Sequence, residues 1–188
     1  MRLLGTVMMA AIGASAWAGE TGEARVSSVT VCMDKGGPDV VSSAQIIASR
    51  VFGAIALKIN WVADRSCPAS LDAIKVRISH ETRANLLPAS LAYALPFEAT
   101  HFEGAHIVVF YDRIKHPGRS VCPQQLLAYV LVHEITHILQ GTNRHSPAGI
   151  MKAYWDDADY YKMTLSTLSF TKHDIDLIYS GLQQDPVK

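Results

Sequence analysis

The sequence predicts an α+β domain: a small sheet, a helix backing it, a second long helix that carries the chemistry, and a short irregular C-terminal part closed by a final helix. Three observations lead there. Apolar residues alternate with polar ones over several short stretches, which is the period of half-buried strands. Gln124 to Gln140 contains neither Gly nor Pro and repeats its apolar positions at helical intervals. These segments follow one another as strand, helix, three strands, long helix, irregular segment and helix. No internal repeat, low-complexity run or polar linker marks a second domain.

Val29, Val31 and Met33 alternate with Ser28, Thr30 and Cys32 before Lys35-Gly36-Gly37-Pro38 stops the run, which reads as a strand and turn. Ser42 to Phe52 carries Ile46, Ile47, Ala48 and Val51 at helical spacing. Leu57, Ile59 and Trp61 define a second strand, and Ile74, Val76 and Ile78 a third. The stretch from Pro88 to Pro96 reads as loop. His106 to Tyr111, HIVVFY, is a further strand. The long helix follows, and Gly141 stands where helices commonly end in a left-handed residue. Thr171-x-x-Asp174 has the form of a capping box and predicts a last helix over 172–182.

The chain has 188 residues, 49% of them hydrophobic, with 17 basic against 17 acidic side chains. These totals mix two populations. The first 18 residues, MRLLGTVMMAAIGASAWA, hold 13 apolar residues and a single charge, Arg2. A positive start, an apolar run from Leu3 to Ala14 and the small-x-small site Ala16-Trp17-Ala18 form the pattern of a secretory signal. The apolar part is too short to span a bilayer. Residues 1–18 are therefore expected to be a signal peptide and residues 19–188 a single domain, secreted or periplasmic, with no membrane attachment once the signal is removed. The remaining 170 residues carry 16 basic and 17 acidic side chains. That balance lacks the clustered Lys/Arg needed for nucleic acid or anionic lipid. Cys32, Cys67 and Cys122 fit one disulfide and one leftover thiol, with three pairings open.

The chemistry lies on the long helix, in His133-Glu134-Ile135-Thr136-His137. A four-residue separation stacks the two imidazoles one turn apart on one helical face, where both reach the same metal ion. Glu134 projects beside the pair and is placed to accept a proton from a water activated by that metal. A catalytic zinc takes three protein ligands and leaves one position open. His145 is the third candidate, because Gly141 lets the chain turn and neutral imidazole suits zinc. Asp156, Asp157 and Asp159 are its rivals. There is no GxSxG elbow and no phosphate-cradling glycine loop, so serine-hydrolase and nucleotide-binding readings have no support.

The segment HEITHILQGTNRHSPAGIM resembles the metzincin-type zinc peptidases, whose pattern joins HExxH, a glycine turn, a third histidine and a later methionine-containing turn. The resemblance implies a zincin-like fold with a small mixed sheet. It also implies zinc held by His133, His137 and His145, Glu134 as general base, and Met151 in the methionine turn. The family reads HExxHxxGxxH, whereas here the glycine falls one residue later and the third histidine two residues later. Tyr154 is the candidate donor to the oxyanion of the transition state. By the same resemblance, HIVVFY is the strand edge on which an extended peptide would lie. The expected function is zinc-dependent endopeptidase action on a peptide or protein substrate. Hydrolysis of a non-protein amide, such as one in cell-wall peptide, would use the same residues. A non-catalytic zinc module that binds a protein partner would keep the three histidines without needing Glu134.

Overall fold

A computed structural model of the chain describes residues 27–33, 39–68, 73–81, 90–95, 106–115 and 121–183. The predicted signal at residues 1–18 lies outside them. The described elements are β1 (Ser27–Met33), α1 (Asp39–Gly53), β2 (Leu57–Ala63), a single 3-10 turn (Asp64–Ser66), β3 (Ile74–Ser79), β4 (Ala92–Leu95), β5 (His106–Phe110), the short α2 (Tyr111–Ile114), α3 (Pro123–Gln140), α4 (Asp157–Thr164) and α5 (Lys172–Gln183).

The five strands form one mixed sheet in the order β2-β1-β3-β5-β4. β1 pairs in parallel with both β2 and β3, and β3 pairs in parallel with β5. Val29, Val31 and Met33 of β1 belong to the core, and Cys32, whose side chain alternates to the other face and bonds Cys67, is also fully buried. α1 contacts β2, α3 contacts β4 and β5, and the two helices contact each other, so both lie over one face of the sheet. α3 is the central element of the core: every residue from Leu126 to Leu139 is buried, including both histidines and Glu134. A helix apolar nearly all round is what such a position requires. α5 packs against α3, with Gly181 at the contact.

Three expectations change. The stretch read as loop contains β4, which pairs antiparallel with β5 from Ala92↔Val109 to Leu95↔His106. Four residues of Ala-Tyr-Ala-Leu between prolines are too few to show a period of two. HIVVFY is accordingly an interior strand, flanked by β3 and β4, and the sheet edge on that side among the described residues is β4. The irregular segment holds α4, capped by a box in which the side chains of Asp156 and Asp159 each accept from the other's backbone N–H. Two acidic residues three apart in a polar stretch look like a solvated face in sequence, yet Asp159 is buried and also bonded to Lys152.

The cysteine question is resolved: Cys32 and Cys67 are bridged, with Cα atoms 5.6 Å apart, and Cys122 is free. No helix among the described residues is long and apolar enough to cross a membrane.

Candidate metal centre

α3 ends at Gly141, which takes the left-handed conformation (φ 60°, ψ 29°) while its N–H and that of Thr142 turn back to the last helical carbonyls. This turn has a second effect. It brings the Thr142 carbonyl within 2.9 Å of His137 Nδ1, so the residues that stop the helix also orient one of its histidines. His133 is oriented from further along the chain, where the Ile150 carbonyl lies 2.9 Å from its Nδ1. Ile150 is set by Gly149, whose φ of +76° brings the backbone against residue 169, and by its own N–H to the Ser169 carbonyl at 3.1 Å. A Cβ on Gly149 would stand 2.5 Å from that carbonyl oxygen, so glycine is required there.

A carbonyl can only accept. Both Nδ1 atoms therefore carry the proton, and both Nε2 atoms present bare lone pairs. Those two Nε2 atoms stand 3.0 Å apart with no hydrogen left to share. Two lone pairs at that distance repel unless a cation lies between them. The separation is close to the ~3.3 Å subtended by two nitrogens on one tetrahedral zinc. His145 completes the group: one ring nitrogen from each of His133, His137 and His145 lies within 4.8 Å of the others. The chemistry of the donors, three neutral imidazoles with two fixed from behind by carbonyls, fits zinc.

Burial supports the neutral state. His133 is 8% exposed and His137 5%. Desolvation first, and then the charge of His137, lowers the His133 pKa to about 3. His137 is also lowered, again chiefly by burial. Glu134, 8% exposed, has no hydrogen-bond or ion-pair partner among the described residues, and burial raises its pKa to about 8. A buried, unpaired carboxyl on the helix that carries two of the three imidazoles is costly to folding, and such groups cluster at functional sites.

Met151 is fully buried, and its carbonyl accepts from the N–H of Ser146, the residue after His145. With Ile150 bonded to His133, the Gly149-Ile150-Met151 turn thus ties two of the three histidines together. Tyr154 is 73% exposed. Asp156 and Asp159 are engaged with Lys152 and the start of α4, and the converging groups include none of the three rival aspartates.

Two residues of the site escape sequence reading. Trp155 stacks edge-on to His133 at 5.5 Å between ring centroids and donates its indole N–H to the Ile150 carbonyl at 3.0 Å. Asp174, read only as the capping residue of the last helix, also bonds Arg144 and Ser146 on either side of His145. Both are contacts between distant parts of the chain, which no local pattern encodes.

No protein-family model matches the sequence, and no curated protein matches it. Among solved structures, the chain is similar to archaemetzincin from Methanopyrus kandleri, at 13% identity and a TM-score of 0.54, over 87% of this chain and 99% of that one. Myroilysin aligns at 17% identity and a TM-score of 0.35, over 80% of this chain and 65% of that one. The archaemetzincin match shows a shared fold, the zincin-like α+β arrangement that the sequence predicts.

Proposed function

We propose that this chain is an exported zinc-dependent endopeptidase, with His133, His137 and His145 holding the ion and Glu134 acting as general base. The observation that carries the reading is the pair of lone-pair-bearing Nε2 atoms 3.0 Å apart, with a third imidazole beside them and an unpaired buried carboxyl on the same helix. When bound, zinc supplies Lewis-acid polarisation of a carbonyl and acidifies water near it. Glu134 takes the proton of the attacking water and returns it to the departing amine. Its burial, which favours the neutral acid in the metal-free chain, is offset by the opposite charge of a cation nearby. Met151 and Gly149 hold the turn that fixes His133 and His145, and Tyr154, exposed beside that turn, supplies a phenol to substrate.

Substrate enters as an extended strand along β4. Ala92–Leu95 is the sheet edge among the described residues, it is partly exposed, and α3 packs next to it. Main-chain pairing to such an edge gives affinity with little sequence preference. The Cys32–Cys67 bridge fits an oxidising, exported setting, as does the three-part leader in residues 1–18.

The test is direct. The chain purified without its leader should bind about one zinc per molecule and cleave an unfolded protein. Chelator and Glu134→Ala should each abolish cleavage, and Glu134→Ala should retain zinc. Zinc bound without cleavage of any peptide or amide would replace this reading with a non-catalytic zinc module. Cleavage confined to cell-wall peptide would move it to the amide hydrolase. Absence of zinc binding would overturn all three.

A further inference from the structure

His145 is held differently from the other two histidines. The rings of His133 and His137 are each fixed from behind by a backbone carbonyl, whereas no hydrogen bond reaches the His145 ring among the described residues. His145 is exposed and lies in neither helix nor strand. A ligand on an irregular segment eight residues beyond its partner must have its position fixed by something other than local secondary structure.

The residues on either side of it supply that constraint. Arg144 Nη2 and Ser146 Oγ both donate to the same oxygen, Asp174 Oδ1, at 2.8 and 2.5 Å. The same guanidinium also donates to the His145 carbonyl at 3.2 Å and to Ser146 Oγ at 3.2 Å. The carboxylate that receives these bonds is itself immobilised. Asp174 is fully buried, and its Oδ2 accepts from Thr171 N–H at 3.2 Å and Thr171 Oγ1 at 2.6 Å at the start of α5. α5 is tied in turn to the helix that carries His133 and His137, through Gln140 Nε2 to the Asp174 carbonyl at 3.1 Å. A buried charge with one partner removed is strongly disfavoured, so this arrangement admits little slack.

We propose that Asp174 is the positioning residue for the third metal ligand: one carboxylate oxygen grips both chain neighbours of His145 and references them to α3. This rests on the zinc reading above. It assigns to the C-terminal helix a role in metal retention, exerted through residues 144 and 146 and not through contact with the ion. The rings of His133 and His137 are oriented separately, by the Ile150 and Thr142 carbonyls.

The experiment is a competition titration for zinc against a chromophoric chelator, with cobalt absorption of the same proteins as a report on coordination. Asp174→Asn should weaken zinc binding about 10- to 100-fold, the range for residues that orient ligands, and should convert the cobalt spectrum towards that of His145→Ala. Because Asp174 also caps α5, the clamp is cut separately from the loop side with Arg144→Met plus Ser146→Ala, which leaves the cap intact and should give a loss of the same order. In a His145→Ala background, neither change should alter zinc affinity by more than about twofold, since the ligand being positioned is gone. Zinc binding by the loop-side variant within twofold of wild type would overturn the proposal. So would an equal loss in the His145→Ala background, which would mean that Asp174 acts through the fold at large. Failure of the wild-type chain to bind zinc would overturn the parent reading instead.

Discussion

His133 and Trp155 share one acceptor: the Ile150 carbonyl receives the imidazole Nδ1–H at 2.9 Å and the indole N–H at 3.0 Å, and the two rings meet edge to face. A carbonyl has two lone pairs, so both bonds can form at full strength. The indole thereby holds the carbonyl where His133 needs it and covers one side of the imidazole. Trp155 is also a built-in reporter, since Trp61 lies on β2 and is bonded to Ser49 of α1, and Trp17 falls in the predicted leader.

Cobalt or copper binding should therefore quench tryptophan emission, and Trp155→Phe should remove the quenching while leaving a folded chain. The substitution keeps an aromatic face and deletes one donor, so zinc affinity should fall only several-fold, at the weak end of the range for residues that orient ligands. A titration followed by fluorescence decides the matter. Unchanged quenching in the variant would show that the metal binds elsewhere.

The residues that act within one helix were legible in the sequence, because a four-residue spacing and a helical period are enough to put His133 and His137 on one face, with Glu134 next to the first of them in the chain. The left-handed ending at Gly141 and the Thr171-Asp174 box were legible for the same local reason. β4 was not, because four residues that lean on β5 show no period of their own. Asp174's link to residues 144 and 146 was not either, since the pairing spans about thirty residues and depends on α5 docking against α3. The choice of Cys67 as the partner of Cys32 likewise waits on the parallel pairing of β1 with β2, which brings the end of β2 and the turn after it alongside Cys32.

Gly181 of α5 should resist replacement. A Cβ there would stand 1.8 Å from the Leu139 carbonyl oxygen in the last turn of α3, a backbone atom that cannot swing aside. Gly181→Ala should force the helices apart and cost at least about 1–3 kcal/mol, or roughly 2–4 °C of Tm per kcal/mol. Gly53, whose added Cβ meets nothing within 4 Å, is the control, and Gly53→Ala should be near neutral or slightly stabilising. Thermal unfolding of both variants without metal tests the contrast. Equal Tm values would show that the α3–α5 contact is looser than described.

The Cys32–Cys67 bridge closes a sequence separation of 35 and joins β1 to the segment after β2. Constraining a loop of that size in the unfolded chain contributes about 2–4 kcal/mol. Cys67→Ser should therefore lower stability to denaturant by that order while leaving zinc affinity almost unchanged, because α3 and the His145 loop are not attached to the bridge. Chemical unfolding with and without reductant gives the comparison. A large fall in zinc affinity on reduction would mean that the sheet and the metal site are coupled more tightly than their separation implies.

The metal-free chain should have a bell-shaped dependence of stability on pH, with each limb assigned to a buried group. The pKa of His133 is lowered to about 3, so below the ordinary value of 6.5 the unfolded chain takes up a proton that the folded chain refuses. Stability is then complete above about pH 6.5 and declines as the pH falls towards 3. Glu134 acts in the opposite sense, because its pKa is raised from 4.5 to about 8 and the folded chain keeps a proton that the unfolded chain has lost. Its contribution is complete below about pH 4.5 and is lost as the pH rises to 8. The two oppose each other between 4.5 and 6.5, where His137, also lowered, tilts the balance towards loss on acidification. Of these three groups only Glu134 acts between 6.5 and 8, with a slope of at most about 1.4 kcal/mol per pH unit. Glu134→Gln, which cannot ionise, should abolish the alkaline limb and leave the acid limb in place. Zinc should suppress the alkaline limb of the wild type, since a cation beside the carboxyl favours its ionised form. Denaturant unfolding in chelator from pH 4 to 9 measures both limbs. An alkaline limb that survives in Glu134→Gln would show that another group is responsible for it.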